Sequence, residues 1–260
     1  TVVDGSNTCG FQRTVIVGLN GWLATSKGKV RITSVALEEE SAGIVEKRGN
    51  EIVYRLDRLG IPLVEVGTDT DIKNPEQAKD VAERIGLMIR STKKSQRGIG
   101  VTRQDVNVSV EGGARIEVKG VQELDMIPRI IENEVERQLK NKGKIKKETR
   151  VAKQDGTTEF LRPLPGGERM YPETDVVPIV ITKQMLSEKL PQTWEEKEKN
   201  LLKILPKQLV PQILRSEYLD LFEQHRKICN PVLVATTYTS TLKDLRRKGI
   251  PVENINSAHL

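Results

Sequence analysis

Apolar and polar residues alternate through residues 106–110 and again through 114–118, with Glu111-Gly112-Gly113 between the two runs. Alternation with a period of two marks a strand with one buried face. If the three separating residues form a hairpin loop, with glycine free to take the positive φ such loops need, Val110 falls opposite Ala114, Val108 opposite Ile116 and Val106 opposite Val118. The same register pairs Ser109 with Arg115, Asn107 with Glu117 and Asp105 with Lys119 on the other face, with Arg103 at the open end. A two-residue loop would set Val110 beside Arg115 and Val108 beside Glu117, and a buried apolar face forbids that one-residue slip. The ribbon is therefore aliphatic on one side and polar on the other.

Helical spacing flanks this ribbon. Asn74-Pro75-Glu76-Gln77 is a helix start, with Asn as N-cap, Pro at the first helical position and Gln at the capping-box position. Val81, Ile85 and Met88 mark its buried face through about Ile89. A second amphipathic helix is predicted over 124–140, with Leu124, Ile127, Ile131, Val135 and Leu139 on one face. Helices on both sides of a hairpin are the pattern of an α+β layer in which helices cover the aliphatic side. Upstream, strands are predicted at 11–17, 30–37, 52–56 and 63–66, with a turn at Asn20-Gly21. From Gln184 onward the pattern turns helical, with helices at 194–205, 210–228 and 231–247, and Gly249 closes the last as its C′ residue. The fold class is thus α+β, a mixed or antiparallel β-sheet core covered by helices over residues 1–183, followed by a small α-helical domain over 184–260.

Composition adds limits. Aromatic residues are 3% and charged residues 30% of the 260 positions, so the core must be mainly aliphatic. A net charge of +6 permits a polyanionic partner such as RNA without requiring one. No apolar run approaches the length of a membrane span. Cys9 and Cys229 are far apart and lack metal-ligand spacing, which reads as two free, buried or semi-buried thiols in a reducing cytoplasm. With only His225 and His259 present, neither a histidine-based triad nor a histidine-rich metal site is expected within the chain. The chain opens without a methionine, inside what reads as a loop and without a signal-peptide pattern, so a truncated start is expected.

Several polar groups stand out against this background. The polar side of the ribbon gathers Arg103, Asp105, Asn107, Arg115, Glu117 and Lys119. A solvated face with cross-strand ion pairs is the simpler account, and a site for a phosphate together with a cation is the alternative. Glu38-Glu39-Glu40 ends a strand, where acidic residues face solvent or serve a hard divalent cation. Glu65 interrupts an aliphatic run, and a carboxylate there is costly to bury without a partner. That partner is either an arginine, Arg55 or Arg58, or a metal shared with Glu38. Ser6, Asn7 and Thr8, in a loop before the strand that carries Arg13, are a plain turn or an anion site. The basic run at 142–147 is read as a solvated linker, and Lys243, Arg246, Arg247 and Lys248 as a basic helix end favoured by the dipole.

The blocks NTCGFQRT, VALEEESAG, YRLDRLGIPLVEV, RGIGVTRQDVNVSV, GGARIEVKGVQELDMIP and FLRPLPGGERMYPETDVVP, in that order, resemble the family of archaeal glutamyl-tRNA(Gln) amidotransferase E-type subunits. They resemble more distantly the B-type subunits of the bacterial aspartyl/glutamyl-tRNA amidotransferase. The resemblance implies a ligase that converts Glu-tRNA(Gln) to Gln-tRNA(Gln) with ATP and Mg²⁺. It also implies ammonia from an asparaginase-like D-type amidotransferase partner and a cytoplasmic heterotetramer with that partner. It places metal ligands on Glu38 and Glu65, nucleotide-binding groups on Ser6, Asn7, Thr8, Arg13 and Arg169, and catalytic groups on the polar ribbon. A further family ligand, a histidine, precedes the first residue of this chain. The family's inserted domain has no counterpart near 141–154, and its tRNA-binding tail should continue past Leu260. A noncatalytic tRNA-binding scaffold and a B-type protein acting also on Asp-tRNA(Asn) are the alternative functions.

Overall fold

The computed structural model describes residues 12–92, 94–96, 98, 100–164, 177, 179–189 and 192–252. The fold is α+β, as expected. The chain divides into two compact units, Thr1–Gly86 with Gln96–Val180, and Leu87–Ser95 with Ile181–Leu260.

Among the described residues, the first unit holds three sheets. Strands β1 (Thr14–Thr25), β2 (Gly28–Glu39) and β5 (Pro62–Thr68) form an antiparallel sheet in the order β1-β2-β5, and β3 (Gly43–Arg48) with β4 (Glu51–Arg55) forms a separate two-stranded ribbon. The turn expected at Asn20-Gly21 is not there. Asn20 takes φ 58 within β1, but pairing continues past it, with Leu19 opposite Ser34 and Gly21 opposite Ile32. The chain reverses instead at Ser26-Lys27, where the Thr25 hydroxyl donates to the Gly28 carbonyl at 2.6 Å and accepts the Lys27 N–H at 3.1 Å. An Asn-Gly pair favours a turn only where the chain has no ladder partner to hold it extended.

Helix α1 (Pro75–Ser91) begins as its sequence requires: the Asn74 side chain accepts the Gln77 N–H at 2.9 Å. The Gln77 side chain reaches back one residue beyond the usual capping box, to the Lys73 N–H at 3.0 Å. Val81 and Ile85 pack on Leu23, Val30 and Ile32 of the first sheet. The expected third member of that face, Met88, is exposed.

The third sheet runs in the order β6 (Gln104–Val108), β7 (Ile116–Val121), β8 (Glu148–Ala152), β9 (Thr158–Pro163). The β6–β7 register is the expected one, with Val108 opposite Ile116, Asn107 opposite Glu117 and Val106 opposite Val118. Ala114, Ile116, Val118 and Val121 are buried against Ile127 and Ile130 of helix α2 (Met126–Lys140), while Ala78 and Ala82 of α1 pack on the same cluster. Both flanking helices therefore cover the aliphatic face. Each fully buried Val or Ile contributes roughly 1.5–3 kcal/mol relative to leaving it exposed.

Three details differ from expectation. The ladder opens before Ser109–Arg115 and Val110–Ala114 because Gln138 of α2 takes the strand's place. Its amide donates to the Val108 carbonyl at 3.2 Å and accepts the Val110 N–H at 3.4 Å. The buried line of α2 is Ile127, Ile130, Glu134 and Gln138, so Leu139 is exposed and two polar residues lie where an apolar stripe would be. Finally, residues 148–152, where no strand was expected, form β8, which pairs parallel with β7 across the α2 crossover. Lys142, Lys144, Lys146 and Lys147 are exposed, as a solvated linker requires.

Glu134 is buried but fully partnered. Arg137 donates to both its oxygens at 2.9 Å and also to Glu148 at 3.0 Å, while Arg150 donates to Glu148 at 2.7 Å and to Thr158. This network joins α2 to β8 and β9.

In the second unit the short helix α3 (Lys183–Leu186) is exposed, while helices α4 (Trp194–Leu202), α5 (Leu209–Arg215), α6 (Leu219–His225), α7 (Pro231–Thr236) and α8 (Leu242–Arg247) enclose a core of Leu201, Val210, Ile213, Phe222, Val234 and Tyr238 among others. The single helix expected over 210–228 is two, interrupted at residues 216–218. A π-helical turn at Thr237–Thr241 joins α7 to α8. Gly249 ends α8 in a Schellman motif: its N–H donates to Arg246 and that of Ile250 to Leu245, both at 3.0 Å, with φ 76 at the glycine. Cys229 is exposed rather than buried, because it lies in the connection between α6 and α7. Among the described residues, no helix is long and apolar enough to cross a membrane.

Candidate functional site

Antiparallel pairing of β2 with β5 sets Ala36 opposite Glu65 and Glu38 opposite Leu63. Glu38, two residues beyond Ala36, is thus the diagonal neighbour of Glu65 on one face of the sheet, within reach of long side chains. The two carboxyl groups share a hydrogen bond. Across the other edge of β2, Thr14 stands opposite Glu38 and its hydroxyl donates to Glu38 Oε1 at 3.3 Å. Burial is the main force that pushes the Glu38 carboxyl up to about 7. The hydrogen bond and negative charge of Glu65 add to it, as does the charge of Glu40, and the Thr14 hydroxyl opposes it.

Glu65 itself is exposed, and neither arginine considered as its partner is so placed. Arg55 pairs with Asp57 at 2.9 Å and Arg58 lies 3.7 Å from Glu40. The arrangement fits a hard divalent cation in one respect. Two carboxyl groups on one face of the sheet offer oxygen donors, and a cation would relieve the repulsion between them. They are part of a ligand set, since such cations take about six oxygens. Among the described residues, no group of three or more His, Cys, Asp or Glu side chains gathers as a metal site.

Just past the end of β2, Glu40 is buried and accepts a hydrogen bond from Arg103, and its Oε1 accepts from Gln12 at 3.4 Å. This links the first sheet to the open end of the β6–β7 hairpin. Along that hairpin, Lys119 donates to Asp105 at 2.5 Å and lies 3.5 Å from Glu117. The contact survives although the backbone register slips between Val106 and Gln104, where Gly120 (φ 76) admits an extra residue into β7. Burial lowers the Lys119 ammonium, but Asp105 and Glu117 together outweigh it, so its proton is held more tightly than usual. Glu117 is oriented from the next strand, where the fully buried Thr149 donates to its Oε2 at 3.0 Å.

Asp105, Glu117 and Lys119 therefore form one ion-paired group, with Asn107 beside Glu117 in the register. Arg103 is drawn to Glu40 instead, and Arg115 is exposed where the ladder has opened. The main-chain carbonyl of Arg13 accepts the Glu39 N–H at 2.9 Å, which ties its strand to β2. Ser6, Asn7, Thr8 and Arg169 lie outside the described residues. Sequence reasoning named Glu40 only as part of the acidic run Glu38-Glu39-Glu40, without its arginine partners, and passed over Thr14 and Thr149, which stand out only through strand partners distant in sequence.

Residues 1–187 match the family described as GatB/GatE catalytic domain. The whole chain is 34% identical to the E-type subunit of the glutamyl-tRNA(Gln) amidotransferase of Methanocaldococcus jannaschii, and the match spans 64% of that protein. Against the same protein of Pyrococcus furiosus it is again 34% identical over the whole chain and 64% of the relative, and against that of Archaeoglobus fulgidus 33% over 99% of the chain and 64% of the relative. The first of these alignments runs to 405 positions, more than the 260 residues of the chain, so the relative carries intervening sequence without a counterpart here. By both the family match and the identity to these relatives, the chain belongs to the GatB/GatE catalytic-domain family.

Proposed function

We propose that this chain contributes the ATP- and Mg²⁺-dependent part of a tRNA-dependent amidation, in which Glu-tRNA(Gln) is converted to Gln-tRNA(Gln). The γ-carboxylate of the esterified glutamate takes the γ-phosphoryl group of ATP, and ammonia then displaces phosphate to leave the amide. Such a transfer depends mainly on positioning and on neutralising the phosphate oxygens, since the protein has little covalent chemistry to perform.

The observation that carries this reading is the Glu38–Glu65 pair. Two carboxylates are brought to one face of a sheet and held there despite a carboxyl driven up to about 7, in a chain whose relatives are named as subunits of this amidotransferase. Glu38 and Glu65 would hold Mg²⁺, with Thr14 orienting Glu38. Bound there, Mg²⁺ would neutralise charge on the phosphates. Arg103, Arg115 and Lys119 would meet phosphate oxygens, with Asp105, Glu117 and Asn107 fixing the lysine and Thr149 fixing Glu117. Ammonia would come from an asparaginase-like partner protein.

The experiment is turnover by the full-length protein with that partner, ATP and Glu-tRNA(Gln), reading formation of Gln-tRNA(Gln). Wild type should turn over, and Glu38→Gln and Glu65→Gln should each abolish amidation. Normal turnover in both variants would overturn the metal assignment. Tightly bound tRNA with no turnover by wild type would mark a scaffold, and equal turnover on Asp-tRNA(Asn) a broader substrate range.

A further inference from the structure

Glu40 lies two residues beyond Glu38, after β2 has ended, and only 8% of it is exposed. A carboxylate buried to that extent is kept only when its charge is matched. Its Oε2 accepts from Arg103 Nη2 and lies 3.7 Å from Arg58 Nη2, and its Oε1 accepts from Gln12 at 3.4 Å. The main chain of Glu40 is held as firmly. Its N–H donates to the Ile61 carbonyl and its own carbonyl accepts from Gly60, both at 2.9 Å. Glu40 is thereby locked to the turn that leads directly into β5, the strand that bears Glu65.

The two guanidinium groups differ from the carboxylate they share. The side chains of Arg103 and Arg58 are 49% and 40% exposed, against 11% for that of Glu40. An arginine has five N–H donors in a rigid fork, so a guanidinium held by one nitrogen still presents the others outward. Glu40 follows Glu38 by two residues and is bonded through its main chain to Gly60 and Ile61, just ahead of β5, so the arginines it holds stand at the end of the β2–β5 pairing that carries Glu38 and Glu65. An anchored carboxylate, two outward-facing guanidinium groups and a neighbouring carboxylate pair make a cradle for a polyphosphate that carries a divalent cation.

We propose that Glu40 is a positioning residue that holds Arg103 and Arg58 beside the Glu38–Glu65 pair, so that their outward donors engage the phosphate oxygens of the nucleotide whose cation the pair binds. This rests on the function proposed above and adds Arg58 to the groups that meet the nucleotide. Glu40 touches neither nucleotide nor metal and acts through the arginines, as outer partners of a binding group do.

The test is nucleotide binding by the full-length protein, measured by calorimetry with a non-hydrolysable ATP analogue and Mg²⁺, for wild type, Glu40→Gln, Arg103→Lys and the double variant. Glu40→Gln should weaken binding about tenfold and Arg103→Lys by a similar factor. The double variant should be no weaker than the worse single one, because both changes break the same link. Full additivity would overturn the proposal, as would a lowered thermal midpoint with unchanged affinity in the folded protein. Should Glu40→Gln fail to fold, Arg58→Lys takes its place beside Arg103→Lys, and unchanged affinity in both overturns the proposal. Wild-type protein that binds no nucleotide overturns the function itself. Wild-type protein that binds, with Glu40→Gln binding equally well, overturns only the role of Glu40.

Discussion

Glu38→Gln should make the metal-free protein more stable at neutral and alkaline pH while removing its activity. The Glu38 carboxyl is raised from 4.5 to about 7 in the fold, chiefly by burial and then by Glu65. A raised acid holds a proton in the folded state that the unfolded chain has already released. Below pH 4.5 both states are protonated and the acid costs the fold nothing. Between 4.5 and about 7 stability falls as pH rises, and above 7 the full penalty applies. At about 1.4 kcal/mol per pKa unit the shift corresponds to roughly 3 kcal/mol. Glu38 is only partly buried and Glu65 is exposed, so solvent screening reduces this to about 1–2 kcal/mol. Glutamine fills the same space, hydrogen-bonds to Glu65 and never ionises. The assay is urea unfolding followed by circular dichroism, for wild type and Glu38→Gln in a chelator across the pH range from about 4 to 8.5. The variant should match wild type at the acid end and exceed it by about 1–2 kcal/mol above pH 7. Added Mg²⁺ should stabilise wild type and leave the variant unmoved. A variant less stable than wild type at pH 8, or a difference that does not change with pH, would refute the reasoning.

Other outcomes follow from the packing. Gly113→Ala should destabilise by roughly 1–3 kcal/mol in thermal unfolding. Its Cβ would lie 2.5 Å from Gln138 Oε1 and 2.7 Å from Val110 Cγ2, and the buried Gln138 has no room to yield. Glu134→Ala should cost about 1–3 kcal/mol, because it leaves Arg137 with Glu148 alone and takes one acceptor from the buried amide of Gln138, and a loss within a few tenths of a kcal/mol would show that water replaces the carboxylate. Thr149→Val keeps the buried shape but removes the hydroxyl that orients Glu117. The turnover number should fall about tenfold with little change in thermal midpoint, and unchanged kinetics would place Glu117 outside the site.

Glu65 was legible as a candidate because it interrupts an aliphatic run, and Glu38 because it opens an acidic run at a strand end. Their approach was one of two readings, a shared metal or an arginine partner for Glu65, and local pattern did not decide between them. The approach depends on the antiparallel register of β2 and β5, two strands separated in the chain by the ribbon β3–β4. The six polar residues of the hairpin were legible as one face, yet Arg103 turns away from the other five toward Glu40, since a half-exposed arginine is drawn to the buried carboxylate it can neutralise. The buried face of α2 misled for a related reason. Glu134 and Gln138 look like surface positions until Arg137, Val108 and Val110 are in place to satisfy them.

The sequence by itself determined the elements with strong local rules. The β6–β7 register followed from a two-residue period and a glycine loop, the start of α1 from Asn74 and Pro75, and the end of α8 from Gly249. These are set by steric limits and hydrogen bonds within a few residues of the chain. The tertiary structure alone decided that Asn20-Gly21 stays extended, that residues 148–152 become a parallel strand, and that Thr14 meets Glu38, Thr149 meets Glu117 and Arg103 meets Glu40. Each depends on groups brought from far along the chain. The free energy of placing a polar or charged side chain is set by the partner it finds there, which no local pattern encodes.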